Sequence, residues 1–137
     1  MNAFRVGVSI GPLIGWLASV AGAVIIETVP VGNPGNSGEL SGTAHSRVCG
    51  AVSYTYNIGK YEVTAGQYTE FLNAVATTDT YGLYAADMSR TDVGNGISRG
   101  GSAGSYTYTI AAAFVNRPVL FASWANAARF TNWLHNG

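Results

Sequence analysis

The chain has 137 residues, enough for one domain and too short for two ordinary ones. Seven Lys and Arg balance seven Asp and Glu, and charged residues make up only 10%, where soluble domains carry roughly 25%. That balance excludes a phosphate-binding basic surface and disorder driven by charge excess, and a single Cys excludes a disulfide framework or a multi-cysteine zinc site.

Residues 1–23 read as a signal peptide. Arg5 makes a short basic start, an apolar run follows from Val6 to Val20, and Ala21-Gly22-Ala23 puts small residues at both recognition positions. Cleavage is expected after Ala23, which removes Arg5 and leaves one acidic group in excess. The alternative is a membrane anchor, since the uncharged stretch from Val6 to Ile26 is just long enough to span a bilayer. Gly7, Gly11, Gly15 and Pro12 make that stretch a poor helix, and no positive cluster follows it. The expected destination is therefore the cell envelope or the exterior, with membrane contact only through an uncleaved N-terminal segment. Residues 24–137 remain as the folded domain.

Ile25 to Val31 is a β-branched run and predicts a short strand before the turn-rich Gly32–Asn36. Asn36 to Gly50 has no period and reads as loop. Ala51 to Ile58 alternates, which predicts a half-buried strand with Val52, Tyr54, Tyr56 and Ile58 on one face. Gly59 marks a bulge or turn, after which Lys60 to Val63 resumes the alternation. Thr64 and Gln67 form a capping box. Tyr68, Phe71, Leu72 and Val75 follow as one apolar stripe on a helix ending near Ala76, with Thr69 and Glu70 expected in solvent. Thr77 to Gly104 reads as a long polar loop closing in GNGISRGGSAG, with a turn at Asn95-Gly96. Ser105 to Ala111 alternates again and predicts a strand. Val119 to Ala122 is a short extended run. Ser123 then caps a second helix with Trp124, Ala127, Phe130 and Leu134 on its stripe and Trp133 beside it, stopping at Asn136-Gly137.

Three segments resemble the N-terminal half of the formylglycine-generating enzyme / sulfatase-modifying factor family. IETVPVGNPGN is similar to the family's opening strand and "VPVG" turn. YNIGKYEVTAGQYTEFLNAV is similar to its "K-x-EVT-x-x-Q-Y-x-x-F" signature, and NRPVLFASWANAARFTNWL to "PV-x-x-x-SW-x-x-A-x-x-F-x-x-WL". Order, spacing and residue type agree in the second and third. The resemblance implies an α+β, C-type-lectin-like domain of two helices, short twisted antiparallel strands and long loops. Here it would be truncated, covering residues 24–137. The family's oxidases bind copper and activate oxygen through a cysteine pair late in the domain. That pair is missing here, as are the later "RLPTEAEWEYA" and "GNVWEW" motifs. Two lesser departures are Ala65, where Asn is frequent, and Asn126, where an acidic residue is frequent and would favour the helix dipole.

The chemistry-bearing residues read mostly as structural. Cys49 lacks a second sulfur ligand or a resolving partner, so a reactive thiol or copper ligand is the lesser reading. His45, four residues earlier, has no third ligand nearby to complete a metal site. His135 suits the dipole at the end of the second helix. Asp79, Asp87 and Asp92 crowd the long loop without an EF-hand spacing; they read as solvated charges, with Ca²⁺ the alternative. Gly94, Gly96 and Gly100 miss the dinucleotide fingerprint and read as flexible loop. Tyr54, Tyr56, Tyr106 and Tyr108 fit a core sheet face or, alternatively, a sugar-stacking face. Trp124 and Trp133 read as core anchors.

No catalytic, cofactor or metal residue is assigned. The expectation is an exported, non-catalytic protein with a structural or ligand-binding role. It needs no cofactor, although copper or calcium belong to full-length relatives. The sequence names no partner; a protein or a glycan ligand is compatible with it, and nucleic acid is not expected. The alternatives are the front part of a copper-dependent formylglycine-generating oxidase or non-haem iron relative, and a surface adhesion module. Half of such a domain should expose sheet edges and apolar faces and be marginally stable alone.

Overall fold

The capping box forms as its residues dictate. Thr64 takes extended backbone, its Oγ1 accepts from Gln67 N at 3.2 Å, and Gln67 Oε1 accepts from Thr64 N at 2.9 Å. Two neighbouring donors, Ala65 N and Gly66 N, reach the carbonyls of Arg117 (2.7 Å) and Val115 (3.0 Å). The orphan N–H groups that every helix start presents are thus satisfied partly by the distant turn at Val115–Arg117, which ties that turn to the helix. A Cβ on Gly66 would sit 2.9 Å from the Val115 oxygen, so this close approach needs glycine.

The computed structural model describes residues 24–40 and 48–136. The N-terminal segment 1–23, its expected cleavage site, His45 and Gly137 lie outside the described residues. The fold is a small α+β arrangement with two helices and short antiparallel strands. In chain order the elements are β1 (Thr28–Val31), β2 (Glu39–Leu40), β3 (Val48–Cys49), β4 (Tyr56–Gly59), α1 (Ala65–Val75), β5 (Ile97–Gly100), β6 (Thr107–Ile110) and α2 (Trp124–Asn136). Two 3₁₀ turns, Ala86–Ser89 and Ala112–Phe114, flank the β5–β6 hairpin. The strands pair two by two, β1 with β4, β2 with β3 and β5 with β6. No helix of the described residues is long and apolar enough to cross a membrane.

The core gathers around α1. Tyr68, Phe71 and Leu72 are buried as the stripe predicts, whereas Val75 is exposed. Tyr68, Phe71, Phe130 and Trp133 form an aromatic cluster with ring centroids 5.3–6.0 Å apart. Glu70 is exposed as expected, but Thr69 is buried. It shares a flank with Gly66 and Asn73, which the chain around β6 and Val115 covers, and its hydroxyl donates to Ala65 O at 2.7 Å. On that flank Asn73 donates to Tyr108 O and accepts from Tyr108 N, both at 2.8 Å.

Several expectations are corrected. The stretch 77–104 is no plain loop: it contributes buried Leu83, Met88, Asn95 and Ile97, and its glycine-rich end is β5, not a flexible tether. The glycines are turn formers there, as at Gly101 with φ of +82°, which opens the hairpin. The loop read at 36–50 contains β2 and β3. The alternation of 51–58 yields strand only at Tyr56–Gly59, and that strand is exposed throughout. A two-stranded ribbon with no element on either face buries nothing, whatever its periodicity. Of the four tyrosines, Tyr108 is core and Tyr106 half-buried, while Tyr54 and Tyr56 are exposed and edge-to-face at 6.2 Å.

The second helix keeps its cap, Asn126 N donating to Ser123 Oγ at 3.2 Å, and its expected stripe holds at Phe130 and Leu134, with Trp133 beside it, but not in the first turn. Asn126 and Phe130 are buried and Trp133 and Leu134 half-buried, whereas Ala127 is exposed and Trp124 is 86% exposed. Trp124 is therefore not a core anchor. The α2 face is set by where Phe71 lies, and that position is invisible in the local sequence. Replacing Asn73 by Ala removes both bonds to the Tyr108 backbone. It should cost about 1–2 kcal/mol in urea denaturation, with the m-value unchanged.

Candidate functional site

The carboxylates of the long loop go to separate structural tasks. Asp79 is not solvated: its side chain is 4% exposed, accepts from Leu83 N at 2.6 Å and pairs with Arg99 Nη1 at 3.1 Å. The Arg99 guanidinium lies between the rings of Tyr84 (4.8 Å) and Tyr106 (4.4 Å), a stacked clasp that fastens the β5–β6 hairpin to the loop after α1. Asp92 pairs at the surface with Arg90 at 2.7 Å, whose hydrogen bond holds the Asp92 carboxyl below its ordinary range. Asp87 sits in the first turn of the 3₁₀ segment. The described residues contain no group of three or more His, Cys, Asp or Glu placed to hold a metal ion. Cys49 is exposed on β3 opposite Glu39, and His135 is exposed in the last turn of α2.

Asn126, read as a missed opportunity for an acidic residue, has its own work. Its amide donates to Gly82 O at 3.3 Å and Leu83 O at 3.5 Å, where a carboxylate would meet two carbonyl oxygens. Asn95 is fully buried and clamps Leu120 through both N and O at 3.4 Å. The turn so held puts Phe121 in the left-handed region at φ +64°, uncommon for an aromatic, with Phe121 exposed beside Leu120 and Trp124.

Among the described residues a shallow hollow of about 540 Å³ runs along α2 past Trp124, Thr131 and His135, and a cleft of about 380 Å³ with a buried floor lies between the C-terminal half of α1, the loop at Tyr81 and α2. Phe71 and Leu83, both buried, floor the cleft, and Val75 and Trp133 form the walls. Tyr81, Arg129, Asn132 and Asn136 form the rim. The three α2 residues recur at i, i+3 and i+7 and so share a face. Arg129 is stacked on the Tyr81 ring at 4.6 Å and donates to Ala125 O at 3.4 Å. Asn136 Nδ2 donates to Asn132 Oδ1 at 2.9 Å. Sequence reasoning missed this site. The polar stripe beside Trp133 was its one local signal; Tyr81 and Leu83 join only through the fold.

Several residues of the segments that carry the family resemblance are structural, although Trp124 of the second of the helical segments is exposed. Thr64, Gln67 and Ser123 are caps, and Tyr68, Phe71 and Phe130 are core. No protein-family model, no curated protein and no solved structure matches the chain.

Tyr68 reports on the buried clasp. Burial first, and then the Asp79 carboxylate, push its phenol up to about 12, with the Asn126 amide opposing. Since the folded value lies above the ordinary value of 10.0, this stabilisation is complete below pH 10 and is lost as pH rises through 12. It amounts to roughly 2–3 kcal/mol. Asp79→Asn should lower the Tyr68 pKa measured by ultraviolet absorbance. It should also cost about 1–3 kcal/mol at neutral pH, because Arg99 loses its charged partner.

Proposed function

We propose that this chain is an exported, non-catalytic ligand-binding module on the front part of a sulfatase-modifying-factor-like, C-type-lectin-like scaffold, with its ligand in the α1–α2 cleft. The observation that carries the reading is the cleft itself. Its volume falls in the range of small-molecule sites, its floor and walls are apolar and aromatic, and its polar groups converge on one rim. The resemblance in the strand-to-helix segments and the observed two-helix α+β arrangement support the scaffold. No cofactor enters this reading. A saturation-transfer NMR screen of small polar, aromatic and sugar ligands against the exported protein should yield binders. Val75→Trp, which plugs the cleft from an exposed wall position, should remove them. Binders indifferent to the plug, or none at all, would overturn it.

A second, structural reading is favoured by a different observation. Trp124 is 86% exposed, and Leu120, Phe121, Leu40, Val48, Ile58 and Tyr61 are also exposed. Apolar surface on this scale is usual where further polypeptide packs. On this reading the protein binds a hydrophobic dye strongly and self-associates with concentration, and Trp124→Ser weakens both. A dye-silent monomer in sedimentation at high concentration would sink it.

A further inference from the structure

We infer that the α1–α2 cleft takes a small amphiphilic carboxylate, with an aromatic ring or short apolar chain on Phe71, Leu83 and Trp133 and its carboxylate at Arg129. The inference rests on the ligand-binding reading above and names the ligand class for that site. The charge pattern leads to it. Among the described residues, Lys60, Arg90 and Arg99 each have a carboxylate, at 2.5 Å, 2.7 Å and 3.1 Å. Of the described cations Arg117 and Arg129 form no such pair; Arg117 lies over the Phe114 ring away from the cleft, whereas Arg129 lines the cleft, and no lining residue is acidic. The Arg129 guanidinium is instead steadied on Tyr81, which is 68% exposed and contributes no core packing. A cation held in place at the mouth of an apolar cleft, without an internal counterion, is complementary to an anion.

The shape of the site narrows the anion. A guanidinium presents two parallel N–H groups that match the two oxygens of a carboxylate. Asn132 lies one turn further along the same face of α2, and its Nδ2 has no hydrogen-bond partner among the described residues, so it is placed to donate to the same head group. Below the rim the surface is hydrocarbon and aromatic ring, with no polar side chain at the floor. A sugar would set hydroxyl groups against that floor, where they find no partner. A neutral apolar ligand would cover Arg129 without pairing it, at a desolvation cost. A molecule with an apolar body and one carboxylate satisfies both regions, and the volume holds a body of about one or two rings.

The probes are phenylacetate, its neutral analogue 2-phenylethanol, and glucuronate, titrated into the ¹⁵N-labelled exported protein. Phenylacetate should shift the Trp133 indole and the α2 amides from Arg129 to Asn136, and bind at least tenfold more tightly than 2-phenylethanol. Arg129→Met should abolish the preference for phenylacetate over the neutral analogue, without weakening the neutral analogue. Tyr81→Leu, a change at an exposed position, should weaken phenylacetate alone and so stands as a check should Arg129→Met disturb the helix. Equal binding of acid and alcohol overturns the carboxylate, and preference for glucuronate overturns the apolar body; with the signal removed by Val75→Trp, either one sinks the amphiphilic-carboxylate inference while the binding reading stands. If no probe moves the cleft residues and the wider screen is also empty, both fall.

Discussion

The fold depends on side-chain amides standing in for missing strands. Three two-stranded ribbons supply few ladder bonds, so much of the backbone must find partners elsewhere. Asn73 exchanges two bonds of 2.8 Å with the backbone of Tyr108 and so docks the β5–β6 hairpin on α1. Asn95 does the same for Leu120, Asn36 reaches Gly50 O and Val52 N, and Asn126 reaches the carbonyls of Gly82 and Leu83. An amide carries donor and acceptor together and can copy a peptide group, which neither a carboxylate nor a hydroxyl does as well. Three of these four contacts fix the path of the segment between the helices, together with the Asp79–Arg99 pair and the carbonyls of Val115 and Arg117 at the start of α1.

The candidate site follows from that arrangement. Asn126 draws the loop at Gly82–Leu83 against α2, while Asp79 and Arg99 hold the start of the same loop to the hairpin. Tyr81 lies between these two anchors and so projects over the cleft, where it meets Arg129. The cleft is thus the space left where two anchored segments and the Phe71–Trp133 contact cannot close completely. Its apolar floor is continuous with the core, and its polar rim is the solvent side of α2.

Elsewhere the surface has the opposite character. The β1–β4 ribbon carries Val29, Tyr56 and Ile58 in solvent, and the Phe121 turn leads to a bare Trp124. Alternation on the ribbon specifies a sheet with a covered face, yet no element of the described residues covers it. The pattern of residues and the packing disagree there, and they agree around α1.

What the sequence determined alone was whatever depends on near neighbours. The Thr64–Gln67 box, the Ser123 cap, the Tyr68–Phe71–Leu72 stripe and the β6 alternation all concern groups within a turn or two of each other, and each formed. Tertiary structure decided the rest: that Asn126, and not Trp124 and Ala127, joins Phe130 on the inward face of α2; that Asp79, Met88 and Ile97 of a polar-looking stretch are buried; and that Tyr81 meets Arg129. Helix periodicity names a set of apolar faces but not which of them meets a neighbour, because burial is a property of two surfaces and the second lies far along the chain.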